Sequence, residues 1–357
     1  MIGEAVHRFV GPARVAYGEG LVETALGQAL GARANVLVVT TASATKDPRL
    51  LARVRAALEG RSVQIVDSIS QHVPVESLDR LAATSFEAVV SLGGGSPIDA
   101  AKLAVVLQAT GARPAALAST PLPESLRARP LHVALPTTLS GAELSPTAGF
   151  TVEGRKVGVF HAELSPQVVL GDVALSLRTP LTLWVSSGVR SIDHAVEGLL
   201  ASGMHPLADA AAREGLPALM NALTRTADAP EDARARHDAQ VAAFLCYQLP
   251  LEAQRGPSHA LGKRLGASFG IPHGLTSCLT LPAILRVWPR GAALARLEAL
   301  LGGPPHEVVH SLLHRLRLTR RLSDFGVGPT ERARVEADFT HPDLSKEQLR
   351  AVLDAIA

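Results

Sequence analysis

The stretch "EAVVSLGGGSPIDAAKLAVVL" (87–107) constrains this chain more than any other. A short Val/Leu run reads as a buried strand, and the Ala/Leu-rich run that follows reads as a helix. Three glycines, Gly93, Gly94 and Gly95, join them and remove side chains where backbone must approach a ligand closely. Ser96 is placed to cap the helix and Pro97 suits its first turn. Amides exposed at such a turn, with the helix dipole behind them, favour a phosphate. The spacing is neither that of a P-loop nor GxGxxG, so those generic nucleotide motifs do not apply.

Three other short runs near this one, "ANVLVV" (34–39), "VQIV" (63–66) and "LHVAL" (131–135), also read as buried parallel strands. Helical stretches such as "DPRLLARVRAALEG" and "VESLDRLAATS" separate them. This alternation predicts a doubly wound α/β domain. In "ALPTTLSGAELSP" (134–146) hydroxyls and a Ser140–Gly141 turn follow a strand's carboxyl end, where nucleotide crevices form. Read without that context, the segment is equally an ordinary capped loop.

The character changes beyond about residue 175. "TPLTLWVSSGVRSIDHAVEGLLASG" is helical in period, with Thr179 as its cap and Pro180 in its first turn. "PLADAAAREGLPALMNALTRTA", "EDARARHDAQVAAFLCYQLPL" and "GAALARLEALLG" continue in the same way, without a convincing strand. The expected division is an α/β domain over 1–172 and an all-helical domain over 173–357. A net charge of +2 in 357 residues, with no basic-aromatic stripe, argues against a nucleic-acid partner. No apolar run has membrane-spanning length and the N-terminus lacks a signal-peptide core, so a cytoplasmic protein is expected. Cys246 and Cys278 form no CxxC pair and read as buried, inert thiols.

Five of the 35 basic residues are lysines, so Lys263, standing between His259 and His273, is not routine surface filling. "HEVVHSLLH" (306–314) repeats histidine every four residues, but it reads as an amphipathic helix with no carboxylate to frame a metal.

"GGGSPIDAAK", "LPTTLSGAELSP", "SSGVRSIDHAVEGL" and "HALGKRLGASFGIPHG", in this order, resemble the iron-containing alcohol dehydrogenase superfamily. "ARVAYGEGLV" and "QHVPVE" (71–76) are similar to its maleylacetate reductase branch. The resemblance spans essentially the whole chain. It implies a Rossmann-like nicotinamide-binding domain followed by a helical domain, with the active site in the cleft between, and by analogy a homodimer. It also implies that Gly93, Gly94, Gly95 and Ser96 hold the pyrophosphate, with Asp99, Thr137, Thr138 and Leu144 around the ribose and nicotinamide. Many relatives carry an acidic residue after the first strand that binds the adenosine ribose. Thr40 and Thr41 stand in that region here, so the 2′-phosphate of NADP meets no carboxylate from them.

Metal-using relatives supply an Asp and a His at i and i+4 on the first helix of the second domain. Here His194 occupies the histidine position and Arg190 the aspartate position. Asp193 lies about 100° away around the helix. His259 and His273 keep the two remaining ligand positions, and a further family histidine is Lys263. If a metal is bound, its ligands are His194, His259 and His273. A fixed guanidinium among them opposes a divalent cation. The expectation is therefore a metal-free NAD(P)H-dependent reductase of a small anionic substrate. Arg190 and Lys263 would grip carboxylate or oxyanion, and His194, His259 or His273 would give the proton. Two alternatives stay open at this point: a metal-dependent alcohol dehydrogenase with altered ligands, and a homologue recruited to a non-redox role.

Overall fold

A computed structural model describes residues 10–126, 128–201, 206–248, 256–289 and 291–357, with the His273 side chain outside the described set. Two compact units divide at Thr179/Pro180. The first contains β1 (Arg14–Gly18), α1 (Leu21–Leu30), β2 (Asn35–Val39), α2 (Ala42–Thr45), α3 (Pro48–Ala57), β3 (Ser62–Val66), α4 (Glu76–Ala82), β4 (Ala88–Gly93) and α5 (Gly95–Thr110). β5 (Leu131–Pro136), β6 (Thr147–Val152), β7 (Arg155–Phe160), β8 (Val168–Asp172) and α6 (Val173–Ser176) complete it.

Six strands form one parallel sheet in the order β1-β8-β5-β4-β2-β3, and β6 pairs with β7 as a separate antiparallel hairpin. The four runs read as strands are β2, β3, β4 and β5. β1, β8 and the hairpin are short segments that periodicity did not single out. Each sheet face carries its own core. Leu37, Val39 and Val89 pack with α4 and α5 on one face; Val36, Val38, Val90 and Leu92 pack with α1 and α3 on the other. This two-sided burial explains why β4 and β5 are buried along their whole length and mostly apolar rather than alternating; their two polar side chains, Ser91 and His132, bond to each other (2.8 Å).

The order also places the ligand crevice. From β2 the chain moves outward to β3, whereas from the adjacent β4 it moves the other way to β5. Ligands of open α/β sheets bind beyond the carboxyl ends of strands at such a reversal. Here those ends are Val39–Thr41 and Gly93–Ser96.

The second unit is helical: α7 (Leu181–Leu200), α8 (Pro206–Asp228), α9 (Ala233–Cys246), α10 (Pro257–Phe269), α11 (His273–Val287), α12 (Ala292–Leu301), α13 (Pro305–Arg315), α14 (Pro329–Asp338) and α15 (Lys346–Ala355). No strand occurs in it among the described residues. A core of Leu261, Leu265, Ile284, Val335, Val352 and neighbours joins α10, α11, α14 and α15. In α13 Val309, Leu312 and Leu313 are buried while His310 and His314 are exposed, the amphipathic pattern expected of it. Both cysteines are buried and free, and burial pushes their thiols well up. Among the described residues no helix is long and apolar enough to cross a membrane.

Two capping expectations are corrected. α7 starts at Leu181 with Pro180 at its N-cap, because the Thr179 hydroxyl donates instead to the Thr137 carbonyl (2.7 Å). α5 starts at Gly95 with Gly94 as its N-cap and no side-chain cap, so Ser96 lies inside the first turn.

Candidate functional site

Two of the three glycines of the phosphate turn, Gly93 and Gly94, stand where a side chain would crowd its neighbours. Gly93 has φ 141°, and a Cβ there would meet Pro97 Cγ at 2.9 Å. A Cβ on Gly94 would meet Thr138 Cγ2 at 3.1 Å, and one on Gly95 would meet Ser140 Oγ at 3.6 Å. The turn and the Thr137–Ser140 segment therefore lie edge to edge. The Thr137 amide donates to the Gly93 carbonyl (2.9 Å) and the Thr138 hydroxyl to Ser140 Oγ (3.3 Å). With no side-chain cap on α5, a 16-residue helix presents first-turn amides and its dipole at this edge.

Thr40 does not reach this surface. Its side chain is buried and its hydroxyl donates to the Leu92 carbonyl (2.8 Å), tying the ends of β2 and β4 together beneath the crevice. Thr41 is partly exposed and caps α2, with Ser43 Oγ 2.9 Å from its hydroxyl. The nearby carboxylate of Asp67, just past β3, accepts from Thr45 Oγ1 (3.3 Å). Asp99 accepts the Gly149 amide (3.0 Å), and Leu144 is buried in the 3-10 turn Ala142–Leu144.

Several residues that sequence reasoning passed over organise this region. Lys102, fully buried on α5, donates Nζ to the carbonyls of Ala142 (2.6 Å), Ser145 (2.8 Å) and Thr147 (2.7 Å). An ammonium satisfied by three carbonyls fixes the 142–147 segment against α5. Its position inside "GGGSPIDAAK" was the available signal. Glu143 is buried in the same segment; burial pushes its carboxyl up to about 7. Lys156 on β7 lies near Asp99, since a Cβ on Gly149 would meet Lys156 Cε at 3.4 Å and Asp99 Oδ2 at 3.6 Å.

The helical unit carries the second constellation. Arg190, Asp193, His194 and Glu197 follow i, i+3, i+4, i+7 spacing on α7, and all four are buried. Arg190 Nη1 donates to Ser277 Oγ (3.0 Å), and Ser277 in turn donates to Asp193 Oδ2 (2.6 Å). Arg190 Nη1 and Asp193 Oδ2 are 3.6 Å apart. Nη2 of Arg190 lies against the edge of the His259 ring, in contact with Nδ1 and 2.8 Å from Nε2. The guanidinium thus points inward, onto the histidine. The His194 ring stands edge-on to Tyr247 at 4.9 Å and 5.3 Å from the His259 ring.

Glu197 holds His259 through the backbone. Its carboxylate accepts the amides of Ser258 (2.7 Å), His259 (3.1 Å) and Gly256 (3.1 Å), so α7 caps α10. Burial and Asp193 push the Glu197 carboxyl up, while the His259 and Ser258 amides and Arg190 pull it back. A Cβ on Gly256 would come within 2.5 Å of Glu197 Cδ, so glycine is required there. Gly274 has the same meaning at the start of α11, where a Cβ would meet the Ser186 carbonyl carbon at 2.9 Å.

Of the five expected catalytic residues, the structure brings Arg190, His194 and His259 together. His273 opens α11 with its side chain outside the described residues. Lys263 follows His259 by one turn of α10 but is exposed, and among the described residues no hydrogen bond or ion pair ties it to the Arg190 cluster. Packing of Leu261, Gly262, Leu265 and Gly266 against the core turns that position to solvent. Among the described residues no three His, Cys, Asp or Glu side chains are grouped to hold a metal ion.

Residues 12–173 match the iron-containing alcohol dehydrogenase family and residues 184–343 match its C-terminal domain, described as Fe-containing alcohol dehydrogenase family, C-terminal. The chain is 30% identical over 327 residues to a maleylacetate reductase of Rhizobium sp. strain MTP-10005, covering 89% of this chain and 86% of that protein. It is 30% identical over 357 residues to one from Burkholderia cepacia, covering 96% and 94%. The solved structure of the Rhizobium enzyme superposes with a TM-score of 0.81 at 27% identity over 99% of this chain and 98% of that one. A sulfoacetaldehyde reductase from Bifidobacterium kashiwanohense, solved in complex with NAD+, shares the fold with a TM-score of 0.87 at 22% identity, over 99% of each chain. The chain is an oxidoreductase, a reductase that belongs to the iron-containing alcohol dehydrogenase family, on its maleylacetate reductase-like branch.

Proposed function

We propose that this chain is an NAD(P)H-dependent reductase of a small anionic oxo compound of the maleylacetate type, and that it works without a metal ion. The observation that carries this reading is the buried Arg190 guanidinium, held by Ser277 and in contact with His259. An arginine cannot shed its proton and can only donate, so it cannot be a ligand. A cation bound at His259 would have to share that ring with a fixed positive charge. Of the two carboxylates beside this cluster, Asp193 accepts from Ser277 and lies 3.6 Å from Arg190, and Glu197 accepts the backbone amides that open α10. These residues do not fit a divalent ion.

They do fit an anion. A guanidinium presents five N–H groups in a planar fork. Ser277 and His259 engage two of its nitrogens and set its plane. Such a fork can grip a carboxylate of the substrate or stabilise an oxyanion that develops during reduction. Water-poor surroundings strengthen that interaction. Nicotinamide, when bound, supplies a hydride; the proton that completes the reduction would come from a histidine beside Arg190. The edge of α5, the glycine turn and the Thr138–Ser140 hydroxyls support a dinucleotide pyrophosphate there. The Bifidobacterium reductase of the same fold was solved with NAD+, which agrees with this assignment.

The test is NADH and NADPH oxidation with maleylacetate and other small oxo acids, run on purified protein analysed for metal. Activity that persists in chelator supports the reading. Activity that vanishes on chelation and returns with iron or zinc overturns it in favour of metal-dependent chemistry.

A further inference from the structure

The chain has two tyrosines, so a phenol ring beside the Arg190 cluster is not routine core filling. Tyr247 stands at the C-cap of α9, where its amide donates to the Phe244 carbonyl (3.2 Å) and closes the last turn. Cys246, the residue before it, is fully buried and anchors that end of the helix. Tyr247 itself is half-buried, and its ring reaches inward onto His194 of α7. The two ring centroids are 4.9 Å apart and the planes cross at 76°.

The contact falls where the site needs one. α7 is buried from Trp184 to Leu200, so packing on all sides fixes the Cα and Cβ of His194. The imidazole plane is not fixed with them. Rotation of a histidine ring about χ2 is a broad torsion that the backbone does not set. Neighbouring rings set it instead. His259 lies 5.3 Å away with its plane tilted by 42°, and Arg190 Nη2 already engages it. Tyr247 bounds the imidazole as well, in the edge-to-face arrangement that aromatic pairs prefer. At this spacing the rings are in van der Waals contact, so the imidazole cannot turn about χ2 without displacing the phenol. Ser277, Arg190, His259, His194 and Tyr247 thus form one run of contacts through the helical unit, from a buried hydroxyl to a half-buried ring.

We propose that Tyr247 is a positioning residue for the reduction: its ring holds the His194 imidazole in the one plane in which it meets a substrate gripped by Arg190. The proposal rests on the reading that Arg190 and a histidine beside it serve the reduction of an oxo acid. It adds a residue from α9 to a site built so far from α7, α10 and α11.

The experiment measures steady-state kinetics with NADH and maleylacetate for wild type, Tyr247→Phe and Tyr247→Leu. Phenylalanine keeps the ring and removes the hydroxyl; leucine keeps apolar volume and removes the ring. In Tyr247→Leu kcat should fall at least roughly tenfold with KM for maleylacetate within about threefold, because a misaligned group is felt in the transition state rather than in ground-state binding. Tyr247→Phe should recover kcat to within about threefold of wild type. Tyr247→Met, a second ringless variant with an adaptable side chain, should behave as the leucine variant does and serves in its place if leucine does not fold. In 13C-histidine-labelled protein the His194 ring signal, assigned by its loss in His194→Asn, should move in the ringless variants and stay in place in Tyr247→Phe. Wild-type kcat in a folded ringless variant overturns the proposal. So does an equal loss in Tyr247→Phe, which would assign the effect to the hydroxyl, or a loss confined to KM, which would make Tyr247 a substrate contact. Wild-type protein that turns over neither maleylacetate nor other small oxo acids overturns the underlying reading; turnover with an unmoved His194 signal in the ringless variants overturns the positioning role alone.

Discussion

Replacing Arg190 should convert this site into a metal site. Arg190 Nη2 stands 2.8 Å from His259 Nε2. A zinc ion bound to that nitrogen would sit about 2.0–2.1 Å from it, and so no more than about 5 Å from the guanidinium nitrogen. A double and a single positive charge at ~5 Å repel by about 6–7 kcal/mol at an effective dielectric of ~20, roughly a factor of 10⁵ in affinity. The guanidinium can retreat and solvent screens part of the field, so at least ~10³ should survive. Arg190→Asp removes this charge and places a carboxylate four residues before His194, on the same helix face. Isothermal titration with zinc should show that gain over wild type, with metal retained through dialysis at one per chain. Arg190→Met should gain less, having lost the repulsion without adding a ligand. Both variants break a buried charged network, which costs about 3–5 kcal/mol of stability, so folding is checked by circular dichroism. Wild-type protein that already holds stoichiometric zinc, or an Arg190→Asp variant that binds it no more tightly, would refute the electrostatic argument.

Lys102→Met should lower stability to urea by about 2–4 kcal/mol, since three carbonyls lose a charged donor while the cost of burying the ammonium is relieved; NADH affinity should fall with it as the 142–147 segment loosens. NADPH should bind comparably to NADH because Thr40 and Thr41 offer no carboxylate; if NADPH is strongly excluded, Asp67→Asn should restore it, and a failure to do so would place discrimination at another residue. Glu143, with its carboxyl pushed up to about 7 from an ordinary 4.5, binds its proton more tightly folded than unfolded. Its contribution to stability is therefore present below the unfolded pKa and lost as pH rises through the folded one, by about 3 kcal/mol in all. Urea unfolding of wild type and Glu143→Gln at pH 5 and pH 8 should show the glutamine variant gaining by about that amount at the higher pH; an equal difference at both pH values would mean that Glu143 does not titrate in this window.

The sheet was legible because burial on both faces leaves a one-dimensional signal. β4 and β5 are buried along their whole length and β2 beyond Asn35, and within β4 and β5 only Ser91 and His132, bonded to each other, interrupt the apolar runs. β1 and β8 were not legible, because "RVAYG" and "VVLGD" are short and their pairing with each other joins residues about 150 positions apart. Caps failed for a related reason. A threonine before a proline has the chemistry of a helix cap, but its hydroxyl found a better partner in the Thr137 carbonyl, 42 residues away in sequence, a contact that local pattern does not reveal.

Helix arithmetic separated what the candidate site revealed in sequence from what it hid. Counting back four residues from His194 put Arg190 on its face, and the structure places both side chains inward. The same arithmetic put Lys263 above His259, yet that side chain is exposed. Period fixes an angle around a helix, but it does not say where on that helix the core boundary falls. On α7 seventeen consecutive residues, Trp184–Leu200, are buried, so every angle is interior and arithmetic suffices. On α10 only Pro257, Ser258, Leu261, Gly262, Leu265 and Gly266 are buried, and His259 and Lys263 share the rim. Asp193 shows the converse. Its angle excludes it from the aspartate ligand position, and that is why it can serve Arg190 instead: offset around the helix, it reaches Ser277 on α11, which orients the guanidinium from the side away from His259. A carboxylate misplaced for a metal is correctly placed to hold an arginine, and the two departures from the metal-binding pattern form one arrangement.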